Sequence, residues 1–322
     1  MTTARALIMP PGEPGTFHCV SRCVRRAWLC GVDPYSGRSF EHRRQWVEDR
    51  LLALAEIFAV GIHSYAVMSN HVHLVVHVDP ALTSSWSERE VAERAVALHC
   101  PAHFSGKMKQ SRVSTWKDDP DRIAWFRAKL GSLSHFMQAL NQFIAKAANA
   151  EDGCTGKFWE GRFKCQRLED ESAVLSVMTY VDLNPIRAKL AADLPSSDHT
   201  SVKRRIEGIA HSPRKAKSRL GPVVGTCQTP LLEISELAYV ELVDWTGRLL
   251  HRQKRGKIAA GTPPILRQLE ISERRWTGQV RGTESIYWRA VGSLDSLCEH
   301  AEALGQKWLR GMRAVRALEP PR

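Results

Sequence analysis

Alternation of apolar and polar residues marks strands in the first part of the chain. Successive side chains of a strand point to opposite faces, so this period predicts a sheet with distinct faces. Two such segments flank the Ser69-Asn70 dipeptide, a tight-turn signal, and together they predict a hairpin. The predicted strand regions are Thr16–Cys23, 61–68, 71–78 and 156–168.

Apolar residues that recur every three or four positions predict helices between these strands. The predicted helices are 40–58, which Gly61 ends, 132–150 and 169–183. The order strand–helix–strand–strand–helix–strand–helix favours an α+β fold. We expect an antiparallel sheet with helices packed on one face, related to the ferredoxin-like arrangement.

Two further regions differ in amino-acid composition. Residues 79–131 are polar and rich in Trp, Lys and Arg, and we interpret them as an insertion with some helix. Beyond residue 200 the chain becomes linker-like and then strongly basic. The predicted domains are therefore 1–200 and a basic, mostly helical C-terminal extension, 201–322. Its helices are expected around Pro230–Gln253, Pro263–Trp276 and Thr283–Arg316.

Composition and charge narrow the classes of partner. The chain has 322 residues, 43% of them hydrophobic, which is enough for a buried core. A net charge of +12 favours nucleic acid, although a basic surface without a specific partner would have the same charge. No apolar segment approaches the roughly 18–20 residues that span a bilayer, and the N-terminus lacks a signal-peptide pattern. We expect a cytoplasmic protein with no membrane partner.

The third predicted strand carries a pair of histidines, His71 and His73. Residues two apart in a strand project from the same face, which is the arrangement that two ligands of one metal require. Val72 between them points to the opposite face. A strand that carries two surface histidines without a metal would show the same pattern.

The last predicted helix of the first domain contains Tyr180 and Asn184. Residues four apart on a helix lie on the same face, so a tyrosine hydroxyl and an amide oxygen can meet there. Pro185 disfavours helical geometry at the residue before it, and the helix is therefore expected to weaken at Asn184. A half-buried helix aromatic without a chemical role is the alternative for Tyr180.

The segment KFWEGRFK alternates aromatic residues with cations. Bases stack on aromatic rings while cations meet phosphates, so this texture suits single-stranded nucleic acid. An ordinary strand with one apolar face is the alternative. The candidate contacts here are Lys157, Trp159, Arg162 and Lys164.

Several strings in this order resemble one family, the single-tyrosine "HUH" transposases. YAVMSNHVHLVV resembles their His-hydrophobic-His motif, and TYVDLNPIRAKL resembles the tyrosine helix of the branch called REP-associated tyrosine transposases. FHCVSRCVRRAW is similar to their first strand, and FWEGRFKCQRLED to the segment before the tyrosine helix. The resemblance covers residues 16–200.

The resemblance implies a fold, a reaction and a set of site residues. His71 and His73 would bind Mg²⁺ or Mn²⁺, and Asn184 matches the third ligand position, which is a glutamine in the insertion-sequence relatives. Tyr180 matches the nucleophile that cuts single-stranded DNA, at palindromic hairpins, through a covalent 5′-phosphotyrosine. The family fold is an antiparallel sheet sandwiched by helices.

Other residues are candidates for supporting roles. Two basic zones, Lys203–Arg219 and Arg248–Lys257, are expected to grip a DNA hairpin, or else the first is a basic linker. His18 on the first strand either supports the metal ligands or is structural. The remaining candidate DNA contacts are Arg22, Arg25, Arg26 and Arg187.

Two other functions fit the same residues. One is a non-catalytic nucleic-acid-binding regulator on the same scaffold. The other is a zinc-dependent hydrolase in which the histidines activate water and Tyr180 is incidental. The sequence leaves open whether the protein acts as a monomer or as a homodimer.

Overall fold

The computed structural model describes most of the chain. The described residues are 7–24, 28–33, 35–101, 103–230, 232–250, 262–287 and 289–318. Arg25 and Arg26, and all of the second predicted basic zone beyond residue 250, lie outside them.

A six-stranded sheet forms the centre of the described part of the protein. The order across the sheet is β5-β2-β3-β1-β4-β6, with β6 parallel to β4 and the other neighbours antiparallel. The first three long strands agree with the predicted strand regions, whereas β4 occupies only the last five residues of the predicted region 156–168. The Ser69-Asn70 turn joins β2 to β3. The strands are β1 Gly15–Arg22, β2 Val60–Val67, β3 His71–Val78, β4 Lys164–Leu168, β5 Val224–Gly225 and β6 Ala290–Val291.

Helices make up most of the rest of the described residues. They are α1 Arg43–Ala55, α2 Glu88–His99, α3 Gly106–Lys117, α4 Pro120–Leu130, α5 Leu133–Glu151, α6 Glu171–Arg187, α7 Ser201–His211, α8 Glu236–Leu250, α9 Pro264–Gln268, α10 Glu273–Gly282, α11 Leu294–Ala303 and α12 Met312–Leu318. The predicted insertion, 79–131, contains α2, α3 and α4. Within the described ranges, every helix is too short or too polar to span a bilayer.

Helices cover both faces of the sheet, so the prediction of helices on one face was wrong. On one face, strand residues such as Leu74 and Val76 pack with α1 and α5. On the other, Val75 and Leu168 pack with α6, α8 and α10. The second layer is made by α6, which precedes residue 200, together with α8 and α10, which follow it and pack beside α6.

The prediction that Gly61 ends the first helix was wrong, because Gly61 lies inside β2. The helix already stops at Ala55. A Cβ atom at Gly61 would lie 2.4 Å from the carbonyl oxygen of Cys227. The glycine therefore permits the segment that carries β5 to approach β2 closely.

Helix α6 continues through Pro185. The Asp170 side chain caps its start by accepting a hydrogen bond from the Ala173 N–H, and the helix extends to Arg187. The Ala188 N–H donates to the Asn184 carbonyl at 2.9 Å, so Asn184 has helical bonding despite the following proline. The expected weakening of the helix at Asn184 is therefore absent, and Tyr180 and Asn184 share one helix.

Residues before and after position 200 pack into one hydrophobic cluster. Tyr239 of α8 and Trp276 of α10 pack in the same cluster as residues of α6. The buried carboxylate of Asp182 on α6 accepts hydrogen bonds from the Ser201 hydroxyl, the Val202 N–H and the Tyr239 hydroxyl, the last at 2.5 Å. The C-terminal region is thus part of the layer that holds α6 on the sheet.

Candidate active site

The two histidines of β3 lie side by side beneath helix α6. The centres of the His71 and His73 rings are 4.7 Å apart, and His73 is fully buried. Val72 packs in the core on the opposite face of the sheet, as the alternation predicted. The strand therefore presents both imidazoles to the space between the sheet and α6.

A chain of hydrogen bonds across three strands orients His73. The Gln166 amide nitrogen donates to the Thr283 carbonyl at 3.1 Å, which leaves the amide oxygen to accept from His18 Nδ1 at 2.9 Å. His18 Nε2 then accepts from His73 Nδ1 at 3.0 Å. This sequence of donors puts the His73 proton on Nδ1 and leaves a lone pair on Nε2, an atom that is buried without a hydrogen-bond partner.

His71 is oriented in the same way by its neighbour. Its Nδ1 lies 2.6 Å from the Asn70 side-chain oxygen, which can only accept. The proton of His71 is therefore also on Nδ1. A protein group that holds the far nitrogen and leaves Nε2 available is the usual surrounding of a metal-binding histidine.

Burial keeps these histidines neutral. It lowers the pKa of His73 well below its ordinary value, and the proximity of His18 and His71, which disfavours a positive charge there, lowers it further. Burial, with help from Arg22, lowers the pKa of His71 to about 4. Burial also lowers the pKa of His18, although Gln166 and Glu284 oppose that shift. Neutral imidazole is the form that binds a metal ion.

Tyr180 packs edge-on against these rings. Its ring centre is 5.7 Å from that of His73 and 6.2 Å from that of His18. Burial, with the nearby charge of Glu284, raises the pKa of Tyr180 to about 12, while Arg187 opposes the shift. The phenol is therefore protonated at neutral pH and needs a proton acceptor when it reacts.

Asn184 lies one turn beyond Tyr180 on the same side of α6. It is largely buried, and its amide nitrogen has no hydrogen-bond partner. A buried amide without partners is costly unless something else binds it.

Glu284 is a member of the site that the sequence did not reveal. Its charge raises the pKa of Tyr180, and one carboxylate oxygen lies 3.8 Å from His73 Nδ1. It follows α10 in a region where the sequence shows no motif, so only the fold brings it to Tyr180. Gln166 was missed too, although its position two residues after Lys164 on a strand could have suggested a shared face.

Three predicted DNA contacts surround the histidines and the tyrosine. Arg22 pairs with His71 across β1 and β3, and its side chain is exposed. Arg22 and the exposed Lys164 are both near enough to lower the pKa of His71. The guanidinium carbon of Arg187 lies 4.6 Å from the centre of the Tyr180 ring.

The other contacts predicted around β4 have mixed placements. Lys157 and Arg162 are exposed, whereas Phe158 and Phe163 are buried. The Trp159 indole N–H donates to the Asn141 carbonyl at 2.8 Å, and its ring packs against the core. Phe158 and Phe163 therefore support the fold, Trp159 is partly buried, and the cations face the surface.

The first predicted basic zone is ordered rather than a linker. It forms α7 and a 3₁₀ helix, Pro213–Lys217, and most of its cations are exposed. Arg205 differs from the others, because its guanidinium is buried and pairs with Glu236 at 2.5 Å. In the part of the chain that the structure describes, no group of three or more His, Cys, Asp and Glu side chains has the arrangement of a metal site. A metal site would therefore need an amide or other ligand besides the histidines.

Comparisons with known proteins give one structural neighbour. The structure of a REP-associated tyrosine transposase bound to a REP hairpin resembles this chain with a TM-score of 0.35 and 12% sequence identity. The alignment covers 68% of this chain and 92% of that one. No protein-family model matches the chain. No curated protein matches it either.

Proposed function

We propose that this protein cuts and rejoins single-stranded DNA through a covalent link to Tyr180. The observation that supports this most directly is the packing of the Tyr180 ring against His73, whose buried Nε2 has a lone pair and no partner. A buried nitrogen in that state is unfavourable unless it has a ligand to bind. The proposal follows the resemblance of the sequence, and the site geometry supports it.

His71 and His73 would hold a divalent cation through their Nε2 atoms, with Mg²⁺ or Mn²⁺ as the proposed ions. Asn184 is the proposed third ligand, because its amide is buried with an unsatisfied atom and can turn to present its oxygen. Such an ion would polarise the scissile phosphate and neutralise charge that develops during the reaction. An arrangement of neutral nitrogen and oxygen ligands suits these ions, although it would also accept zinc.

The proposed cleavage transfers a phosphoryl group to the tyrosine. The Tyr180 oxygen attacks phosphorus and forms an O–P bond, while the bond from phosphorus to the 3′ oxygen breaks. The phenol proton passes to the nearby Glu284 carboxylate, whose charge raises the pKa of Tyr180. The departing 3′ oxygen takes a proton from solvent and becomes a free 3′-OH, and attack by another 3′-OH on the phosphotyrosine would join two strands.

The cations around the site would bind the DNA backbone. Arg22, Lys164 and Arg187 lie close to His71 or Tyr180. Contacts to phosphate add affinity without reading sequence, so binding should weaken steeply as salt rises. Palindromic hairpins are the proposed substrates, with α7 and the 3₁₀ helix after it as a second basic surface for them.

A denaturing gel tests the proposal. The protein is incubated with Mn²⁺ and single-stranded hairpin DNA from repeats of its host genome, and a covalent protein–DNA adduct is expected. Tyr180→Phe should abolish the adduct. Tyr287→Phe is the matched control, because it also removes a buried hydroxyl, one that has no hydrogen-bond partner, and it should leave the adduct unchanged.

The alternative outcomes assign other functions. If hairpin DNA binds but no adduct forms with any repeat, the protein is a non-catalytic regulator. If cleavage survives Tyr180→Phe and needs the histidines, water is the nucleophile and the protein is a metal-dependent hydrolase.

A further inference from the structure

A basic pocket lies in the C-terminal region, outside the site described above. It has a volume of about 440 Å³ and is lined by Arg289, Gln306, Lys307, Trp308, Leu309 and Arg310. Ligand pockets in proteins range from about 300 to 1,000 Å³, so its size suits a small molecule or one unit of a polymer.

The fold presents the indole of Trp308 at this pocket. The side chain of Trp308 is 70% exposed, whereas its neighbour Leu309 is 5% exposed and packs in the core with α6 and α10. Gly311 has a φ of +112°, and a Cβ atom there would lie 2.8 Å from the Tyr287 ring. The turn after Trp308 is therefore anchored at Leu309 and Gly311, and this anchoring keeps the indole on the surface.

The chemistry of the pocket fits a nucleotide. An exposed indole next to apolar surface offers a stacking platform, and the cations Lys307 and Arg310 offer partners for phosphate. We propose that this pocket binds one nucleotide of single-stranded DNA, with the base against Trp308 and its phosphate near Lys307 and Arg310. The inference rests on the proposed function for the identity of the polymer.

The pocket lies a few residues along the chain from the site around Tyr180. Glu284 lies near enough to Tyr180 to raise its pKa, and Arg289, five residues later, lines the pocket. The Arg310 guanidinium donates to the carbonyl of Ser285 at 3.2 Å, which ties the pocket wall to the residue after Glu284. Five residues span at most about 17 Å, so the pocket lies within reach of DNA that continues from the cleavage point.

Binding of a hairpin with and without a single-stranded extension tests this assignment. Both DNAs are labelled and titrated in the Tyr180→Phe background, where no covalent link can form, and anisotropy gives Kd. Extensions of about six nucleotides on either end match the footprint of small single-strand sites. For whichever extended hairpin the wild type binds more tightly, Trp308→Ala should weaken binding about tenfold, while binding of the hairpin without an extension should stay unchanged. Trp308→Phe should keep most of the affinity for the extended hairpin.

Trp125→Ala is the matched control. Trp125 on α4 is also exposed, at 50%, and also has a cation beside its ring, because Lys129 Nζ lies 3.4 Å from the ring centre. Its removal should leave both affinities unchanged. Lys307→Gln should reduce the salt dependence of binding for the extended hairpin, by about 0.7 in the slope of log K against log salt.

Equal affinities of wild type and Trp308→Ala for the extended hairpin would overturn the assignment, as would an equal loss for both DNAs. Binding of an acidic peptide that depends on Trp308, without any effect of the DNA extension, would overturn it as well. The readout is equilibrium binding, so it is independent of the adduct assay. An adduct without the Trp308 effect removes only the pocket assignment, whereas the Trp308 effect without an adduct removes only the catalytic proposal.

Discussion

The two faces of the central sheet are built from the same strands but bury different chemistry. On β1 and β3, Phe17 and Leu74 face α1 and α5 and fill an apolar core. The residues next to them on these strands, His18 and His73, face α6 and are equally buried. The first face is stabilised by the burial of apolar side chains. The second combines apolar packing against α6 with buried histidines that depend on hydrogen bonds between side chains.

The difference shows which face carries a free-energy cost from buried polar groups. Burial of polar groups costs free energy unless each has a partner, and on the histidine face the relay from Gln166 to His73 supplies most of these partners. This chain of hydrogen bonds ends at His73 Nε2, which has no hydrogen-bond partner. The first face therefore only maintains the fold, whereas the second also holds an unsatisfied atom beside Tyr180. Substitutions on opposite faces should separate these roles.

Replacement of His73 by Ala should have the largest effect on the reaction. Loss of one proposed metal ligand removes several kcal/mol of charge stabilisation, and we expect adduct formation to fall by about a thousandfold. The measurement is the rate of adduct formation with Mn²⁺, and removal of the cation with a chelator should have the same effect on wild type. An unchanged rate in a folded His73→Ala protein would contradict the assignment of this face.

Leu74→Ala, one residue along β3, should show the opposite behaviour. The side chain is fully buried among α1 and α5, and its truncation leaves a cavity that costs about 3 kcal/mol of the free energy of unfolding. Urea denaturation measures this loss. Below the unfolding transition, the rate of adduct formation should remain near that of wild type, and a large drop in rate would show that the two faces are coupled.

Gln166→Met tests the relay that orients His73. The change removes the acceptor for His18 Nδ1, and loss of such a supporting group typically reduces metal affinity or activity about 10- to 100-fold. Calorimetric titration with Mn²⁺ measures the affinity. Gln166→Glu keeps an acceptor for His18 but loses the donor to the Thr283 carbonyl, so it should restore part of the affinity. Equal losses in both variants would indicate a merely structural role.

Glu169→Gln should have the smallest effect, visible only as a pH dependence. Burial, with Asp170, raises the pKa of Glu169 to about 7, while Arg167 opposes the shift. The unfolded chain loses this proton near the ordinary value of 4.5, so the folded form binds more protons between about pH 4.5 and 7. Stability should therefore fall as pH rises through that window, and less so in Glu169→Gln.

Urea midpoints across this range measure the effect. Glu299→Gln, which changes an exposed residue of α11, is the control and should keep the wild-type dependence of the urea midpoint on pH. A wild-type slope in Glu169→Gln would mean that other groups set the pH dependence.

Features with a local cause were predictable from the sequence. The turn at Ser69-Asn70 and the shared face of His71 and His73 follow from the period of two on a strand, and both were confirmed. Helix α6 was predicted, but its passage through Pro185 was not, because the packing that holds its last turn comes from residues distant in sequence.

Features that depend on distant contacts were not predictable. Glu284 and Thr283 reach the site only because residues beyond 200 pack over the histidine face. The aromatic residues of KFWEGRFK could not be assigned in advance, because a stacking platform and a core position have the same local pattern. The fold resolved this by burying Phe158 and Phe163.

The edge of β2 also has a consequence for self-association. An unpaired edge strand is a template on which another chain can add a strand and begin to aggregate. Here the N–H of Val67 donates to His199, that of Tyr65 to the Ser201 hydroxyl, and that of Val223 to the Ile62 carbonyl. The later part of the chain therefore covers the edge of β2 and satisfies its backbone hydrogen-bonding groups. A fragment cut at residue 200 would expose this edge and be prone to polymerise.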